Sequence, residues 1–186
     1  KTIQVKGVHS FQHWVKENIE QNVGIDRMIR DLITSTGSAS NNPAANYYRI
    51  SRDPLTLAET TAQLFLGFRM QCAKCHHHPF ENIAQADYYS MTAFFSRVAK
   101  KNSTEFGLQG SDTTIYLTMA GEASHPKTGK ILPPKPIGGP VTEDPIDRRN
   151  GLVTWLKDKN NPALARNFVN RYWGYYFGRG LIHPID

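Results

Sequence analysis

The 186-residue sequence lacks three features that would each assign it to a broad class of proteins. No apolar run approaches the roughly 18–20 residues that a membrane-spanning helix needs, so we expect no membrane span. The lysines and arginines form no run longer than two, and the formal charge of +6 is spread along the chain, which argues against a nucleic-acid partner. Two cysteines three positions apart cannot form a disulfide framework for a domain of this size, so the pair indicates a local site.

The spacing of apolar residues predicts a mainly α-helical protein. Asp26 is a candidate N-cap for the second helix, and Asp53 followed by Pro54 is the N-cap signal of the third. The third helix carries several leucines and phenylalanines and is expected to run directly into Cys72. The predicted helices cover about 10–21, 27–34, 54–71, 85–100, 145–157 and 162–177.

One stretch departs from the helical pattern. Residues 113–119 are rich in β-formers, and a connection marked by glycine and proline leads to Ile131 and Leu132, which predicts a small β-hairpin at about 111–132. Residues 133–145 are rich in proline and glycine and predict a linker. We therefore expect a first domain over 1–132 and, over 146–186, a helical segment that begins a second domain.

The segment QCAKCHHHPF, residues 71–80, contains both cysteines and three consecutive histidines. In c-type haem attachment, two thiols add to the haem vinyl groups and the histidine that follows the second cysteine binds the iron. Cys72, Cys75 and His76 have this spacing, so they are predicted to hold one covalent haem c per chain, with His76 as the proximal ligand.

Two other interpretations use the same cysteines. A structural zinc site could add two histidines, for example His78 and His125, but zinc sites commonly have a second ligand pair at a recognisable spacing, which this sequence lacks. A redox dithiol usually follows a strand in a βαβ pattern, whereas the residues before Cys72 are predicted to be helical.

A monohaem site raises the question of a sixth iron ligand. Three candidates lie too close in sequence to His76 to reach the opposite haem face: Met70, His77 and His78. Met91 lies on an apolar helix face, where a methionine usually belongs to the core. His125, in the turn of the predicted hairpin, is therefore our prediction, and an open or water-bound position stays an alternative. We expect the haem to pack against aromatic side chains, at Phe68, Phe80 and Tyr88 in the first instance, and also at Phe65, Phe94 and Phe95.

Residues 58–95 resemble the cytochrome-c-like domain of large exported planctomycete-type proteins. The family pattern F-L-G, then C-x-x-C-H-x-H-P-F-[DE], D-Y-Y and A-F-F is matched by the residues of 65–67, 72–81, 87–89 and 93–95. Residues 147–186 resemble the start of the domain that usually follows, with its N-R-x-W and F-G-R-G-L signatures at 170–173 and 177–181. At position 77, where relatives often carry aspartate, this chain has histidine.

The resemblance implies an extracytoplasmic protein, periplasmic or secreted, that carries a covalent haem and is longer at both ends in its gene. The chain starts with Lys1 and shows no signal peptide, which agrees with a mature or excised piece. Genes of the family often accompany polysaccharide degradation, which suggests redox chemistry coupled to carbohydrate use. The expected partner is a redox protein, with carbohydrate as a second candidate and self-association left open.

The leading hypothesis is therefore an electron-transfer cytochrome c domain, and whether it is also an enzyme is left undecided. The alternative is a zinc-stapled structural or carbohydrate-binding module without redox activity. Aromatic residues of the last helix would give that module a sugar-stacking face, although core or interface is their commoner role: Phe168, Tyr172, Trp173, Tyr176 and Phe177.

Overall fold

A computed structural model describes residues 5–51, 53–103, 112–142, 144–183 and 185. Its α-helices are α1 (Val5–Glu20), α2 (Ile25–Ile33), α3 (Tyr47–Ile50), α4 (Pro54–Thr61), α5 (Gln85–Ala93), α6 (Arg149–Leu156) and α7 (Ala163–Phe177). Its strands are β1 (Gly37–Ser38), β2 (Val98–Ser103), β3 (Asp112–Leu117), β4 (Ala123–Ser124) and β5 (Ile131–Leu132). The prediction of a mainly α-helical protein with a small β portion is confirmed.

The first helices begin where predicted only in part. Asp53 caps α4 as predicted, because its carboxylate accepts a 2.8 Å hydrogen bond from the backbone N–H of Thr56. Asp26 does not cap α2; it lies in the first turn, and its carboxylate pairs with Lys157 at 3.2 Å. Helix α1 was predicted from Ser10 and begins five residues earlier.

Helix α4 does not continue to Cys72, contrary to the prediction. It ends at Thr61 and passes into a π turn, Ala62–Leu66, which Gly67 terminates with a φ of 76°. A positive φ of this kind is readily adopted by glycine and stops a helix. Cys72 therefore lies on a separate element, a 3-10 turn formed by Gln71–Lys74.

Helix α5 is also shorter than predicted, because the residues after Ala93 turn and enter strand β2. Strand β2 pairs with β3 in antiparallel register, and β1 pairs with the other side of β3. Strand β5 pairs instead with β4. The β segments predicted within 111–132 are therefore present, but they belong to two sheets; residue 111 itself lies outside the described residues.

One hydrophobic cluster contains residues from both sides of the predicted linker. Leu152, Leu156 and Leu164 are buried together with Phe65 and Ile29. Lys135, within the predicted linker, contacts α5: its backbone N–H donates to the carbonyl of Ser90. The helix predicted from Pro145 begins at Arg149. The residues before it form a turn, because the Asp144 carboxylate accepts backbone hydrogen bonds from Ile146 at 2.9 Å and from Asp147 at 2.8 Å. The predicted two-domain division stays a prediction.

No helix among the described residues is both long enough and apolar enough to cross a membrane.

Candidate functional site

The two cysteines lie on a turn whose inner side faces the core. In the 3-10 turn Gln71–Lys74, the N–H of Ala73 donates to the carbonyl of Met70 at 3.0 Å. Ala73 and Met70 are fully buried. Cys72 and Cys75, on either side of Ala73, are exposed free thiols. Because the small residue between them packs inward, both sulfur atoms are accessible to a ligand that approaches from solvent.

The ring of His76 is held by a hydrogen bond at Nδ1. Its Nδ1 lies 2.6 Å from the carbonyl oxygen of His77, and a carbonyl can only accept, so Nδ1 carries the proton and donates. In a neutral imidazole the lone pair is then on Nε2, and the exposed ring is open to solvent. Histidines that bind metals usually donate their other ring N–H to a carbonyl or carboxylate in this way. His76 therefore has the tautomer that suits an iron ligand.

His78 has a structural role in the next loop. Its Nδ1 accepts hydrogen bonds from the backbone N–H groups of Glu81, at 2.9 Å, and Phe80, at 3.3 Å. Its own backbone N–H donates to the carbonyl of Ile83 at 2.9 Å. An Nδ1 that accepts leaves the proton of a neutral ring on Nε2. His78 is therefore bound into the loop over 78–83 and does not present a free ligand nitrogen.

His125, the predicted sixth ligand, lies in the β4–β5 turn beside helix α5. Its ring centroid is 6.4 Å from that of Tyr89. The Tyr89 hydroxyl donates to the carbonyl of Lys74, which lies in the cysteine turn, the name used below for the turn Gln71–Lys74 with Cys75 at its end. The Nδ1 of His125 accepts from the N–H of Lys127 at 3.3 Å, so a neutral ring carries its proton on Nε2. Coordination through Nε2 would require this hydrogen bond to open. The assignment of His125 as an iron ligand stays a prediction.

The remaining candidate ligands lie in other surroundings. Met91 is fully buried in the hydrophobic cluster. Within the described part of the chain, no group of three or more His, Cys, Asp or Glu side chains is placed where it could hold a metal ion. The structure thus does not bring the proposed zinc set of the two cysteines, His78 and His125 together.

The three aromatic residues predicted to contact haem have three different environments. Phe80 is 92% exposed beside His78, and Phe68 is partly buried against the core. Tyr88 is fully buried, and its hydroxyl donates to the Glu59 carboxylate at 2.7 Å. Burial, followed by the hydrogen bond and the negative charge of Glu59, raises the pKa of Tyr88 well above its ordinary value. Phe65, Phe94 and Phe95 are core residues. The haem contacts of these aromatics stay predictions.

Sequence reasoning missed two side chains that hold the cysteine turn. The Nε2 of Gln85 donates to the Lys74 carbonyl at 2.7 Å, and the Tyr89 hydroxyl donates to the same oxygen at 3.3 Å. The sequence analysis places both residues in a helix, and Tyr89 also in the D-Y-Y part of the family pattern, but it assigns neither a role at the site. The sequence does contain one signal for them: Gln85 and Tyr89 are four positions apart at the start of the helix that follows the motif. Residues i and i+4 share a helix face, so both side chains can reach the same neighbour.

Helix α7 presents a largely exposed aromatic surface. A cleft of about 350 Å³ lies at its side, formed by Leu64, Phe65, Phe168, Arg171, Tyr172 and Tyr175. Trp173, Tyr176 and Phe177 are also exposed. This is the surface that the carbohydrate-binding alternative would use.

Fold and site together define a small helical domain that displays a C-x-x-C-H turn with two free thiols and a histidine in the ligand tautomer. This donor set fits covalent haem c, whereas the described residues assemble no such set of protein ligands for zinc.

The chain belongs to the PSCyt2 family, which is described as a protein of unknown function (DUF1549) and whose profile matches residues 2–100. Its name is that of a cytochrome-like domain. Residues 148–186 match the PSD1 family, also described as a protein of unknown function (DUF1553). Both resemblances predicted from the motifs are thereby confirmed. No curated protein and no solved structure matches the chain.

Proposed function

We propose that the chain is a monohaem c-type cytochrome domain that transfers electrons in an exported protein. The observation that carries the proposal is the arrangement of the motif: two exposed thiols flank a buried alanine, and the adjacent His76 offers an unprotonated Nε2. When bound, the haem would supply an iron that accepts and releases one electron.

The residues of the turn have separate roles in this proposal. Cys72 and Cys75 would hold the haem through thioether bonds, and His76 would bind the iron through Nε2. The His77 carbonyl holds the Nδ1 proton of His76 and fixes the orientation of its ring. His78 keeps the following loop in place through its two accepted backbone hydrogen bonds.

The surface next to the turn favours a negatively charged redox partner. Lys74 lies in the turn, and Lys127 and Lys130 lie in the β4–β5 turn, which adjoins the cysteine turn through Tyr89; all three lysines are exposed. Complementary charge speeds the encounter between proteins. The exported location and the coupling to carbohydrate chemistry are proposals that rest on the family resemblance.

Absorption spectroscopy tests the proposal directly. The chain is produced with a cytochrome c maturation system, and we expect Soret and α bands from haem that acidic solvent does not extract. Cys72→Ala combined with Cys75→Ala should remove the covalent haem, and His76→Ala should change the spin state of the iron. His77→Ala is the matched control: it keeps the backbone carbonyl that serves His76, and should leave the spectrum unchanged.

Elemental analysis of the same preparation separates the two hypotheses. One iron per chain supports the cytochrome. One zinc and no iron per chain, with no haem bands, would overturn it in favour of the zinc-stapled module.

A further inference from the structure

The backbone carbonyl of Lys74 connects the cysteine turn to helix α5 by hydrogen bonds. The oxygen of Lys74 accepts the 2.7 Å hydrogen bond of the Gln85 side-chain amide and the 3.3 Å hydrogen bond of the Tyr89 hydroxyl. Lys74 lies between Ala73 and Cys75, within the C-x-x-C segment itself. Both lone pairs of this carbonyl are therefore engaged by one face of one helix.

The backbone hydrogen bonds of the turn itself hold its second half only weakly. The N–H groups of Cys75 and His76 both point to the carbonyl of Cys72, at 3.4 Å and 3.5 Å, which is beyond the usual range of a strong backbone hydrogen bond. A four-residue 3-10 turn is also too short to gain cooperative stability. The first half of the turn is held by the 3.0 Å hydrogen bond from Ala73 to Met70 and by the burial of both residues. The two hydrogen bonds from α5 therefore act mainly on the second half, at Lys74 and Cys75.

The helix that supplies these donors is itself fixed at its first turn. Asp87 accepts a 3.0 Å hydrogen bond from the N–H of Ala84 and pairs through its other oxygen with Lys135 at 3.0 Å. Gln85 is only 6% exposed, so its amide is committed to a partner inside the protein. A buried donor that loses its partner is unfavourable, which keeps Gln85 bound to Lys74.

We propose that Gln85 and Tyr89 are positioning residues for the haem site. They hold the Lys74 carbonyl and thereby fix the direction in which Cys72, Cys75 and His76 face the cofactor. This role rests on the proposed cytochrome function and adds to it two residues that lie outside the C-x-x-C-H motif. It also accounts for Tyr89 as the residue that links the turn to His125.

Two variants on α5 and one control on the same helix test the proposal. Gln85→Met keeps the length of the side chain and removes the donor, and Tyr89→Phe removes one hydroxyl. Thr92→Val is the control, because it also removes one hydroxyl from α5, and that hydroxyl donates to the Tyr88 carbonyl within the helix at 3.0 Å. If Gln85→Met does not fold, Tyr89→Phe still tests the proposal.

Amide hydrogen exchange of residues 71–77 is measured in the chain prepared without haem. The loss of one net hydrogen bond should raise exchange in this segment roughly tenfold in Gln85→Met and roughly threefold in Tyr89→Phe. Thr92→Val should leave exchange of 71–77 close to that of the wild type relative to the other segments.

The midpoint potential is then measured in the haem-loaded proteins. A less firmly held turn should admit water to the haem, which favours the more charged ferric state, so both variants should have a lower potential than Thr92→Val. Faster exchange together with a lower potential supports the proposal. Unchanged exchange, or faster exchange with an unchanged potential, overturns the positioning role of Gln85 and Tyr89. The cytochrome function is upheld in that case if the wild type shows haem bands. A wild type without haem bands overturns both.

Discussion

The guanidinium of Arg149 donates a 2.9 Å hydrogen bond to the hydroxyl oxygen of Tyr48, and both side chains are fully buried. The same guanidinium donates to the carbonyl of Ser35 at 3.0 Å and pairs with Asp147 at 2.8 Å. Burial raises the pKa of Tyr48 to about 12, although the charge of Arg149 opposes the rise, so the hydroxyl keeps its proton at neutral pH. Arg149 belongs to the PSD1-matched segment and its neutral partners to the PSCyt2-matched one, so the two regions share a buried polar contact.

Arg149→Met should therefore destabilise the whole chain by about 3 kcal/mol or more, because it leaves Asp147 without its buried partner and buried acceptors without a donor. Urea denaturation at neutral pH measures the change in the free energy of unfolding. Arg166→Met, at an exposed position of α7, is the control and should stay within about 0.5 kcal/mol of the wild type. A loss at Arg149 no larger than this control would contradict a shared core.

Local sequence signals predicted the elements that depend on local chemistry. The Asp53–Pro54 cap and the helical class are found as predicted, because capping and apolar periodicity act within a few residues. The ends of α4 and α5 could not be predicted in the same way. The first depends on a π turn that closes at Gly67, and the second on the pairing of β2 with the distant β3.

The same distinction between local and distant interactions applies to the candidate site. The sequence alone predicts Cys72, Cys75 and His76 as the haem-binding residues, since the C-x-x-C-H spacing is itself the chemical requirement. The hydrogen bonds that distinguish His76 from His78 depend on the path of the backbone around each ring. That path follows from tertiary packing, which the periodicity of a single chain does not contain.

Gly67 should be intolerant of a side chain for two separate reasons. Its φ of 76° is unfavourable for other residues, and an added Cβ would lie 2.5 Å from the Oδ1 of Asn167, whose Nδ2 donates to the Leu64 carbonyl at 2.7 Å. Gly138 has nearly the same φ, 75°, with no atom within 4 Å of an added Cβ. Gly138→Ala should cost about 1 kcal/mol from the backbone alone. Gly67→Ala should cost at least about 1 kcal/mol more, since the close contact is added.

Thermal or urea unfolding of the two alanine variants isolates the contact with Asn167. Equal losses for Gly67→Ala and Gly138→Ala would show that this contact carries no energy and that the glycine of the F-L-G motif is required only for its backbone conformation.

Asp53 should stabilise the protein in a pH-dependent way. The N–H of Thr56 donates to its carboxylate and, against a smaller effect of burial, lowers the pKa of Asp53. The stabilisation is therefore complete above the unfolded-state pKa of about 3.9 and is lost as the pH falls through the lower folded-state pKa. Asp53→Ala should cost about 1 kcal/mol at pH 7.

Asp53→Asn is the matched control, because its side-chain oxygen can still cap the helix and does not titrate. The stability difference between wild type and this variant should shrink as urea titrations move from pH 7 to pH 3. A difference that stays constant over this range would show that the ionised carboxylate contributes nothing beyond its hydrogen bond.

The sixth ligand gives the sharpest prediction about the haem. Binding of His125 through Nε2 requires its Nδ1 to hold the proton, so the hydrogen bond from the Lys127 N–H must open when the ligand bond forms. His125→Ala should then convert a six-coordinate low-spin spectrum into a high-spin one that binds carbon monoxide or imidazole. The amide exchange of Lys127 in wild type should be faster with haem than without it.

A low-spin spectrum that survives His125→Ala would exclude His125 and direct the search to Met91, which would have to leave the core to reach the iron. A wild-type spectrum that is already high-spin would show that the position is open, and a catalytic role for the haem would then gain support.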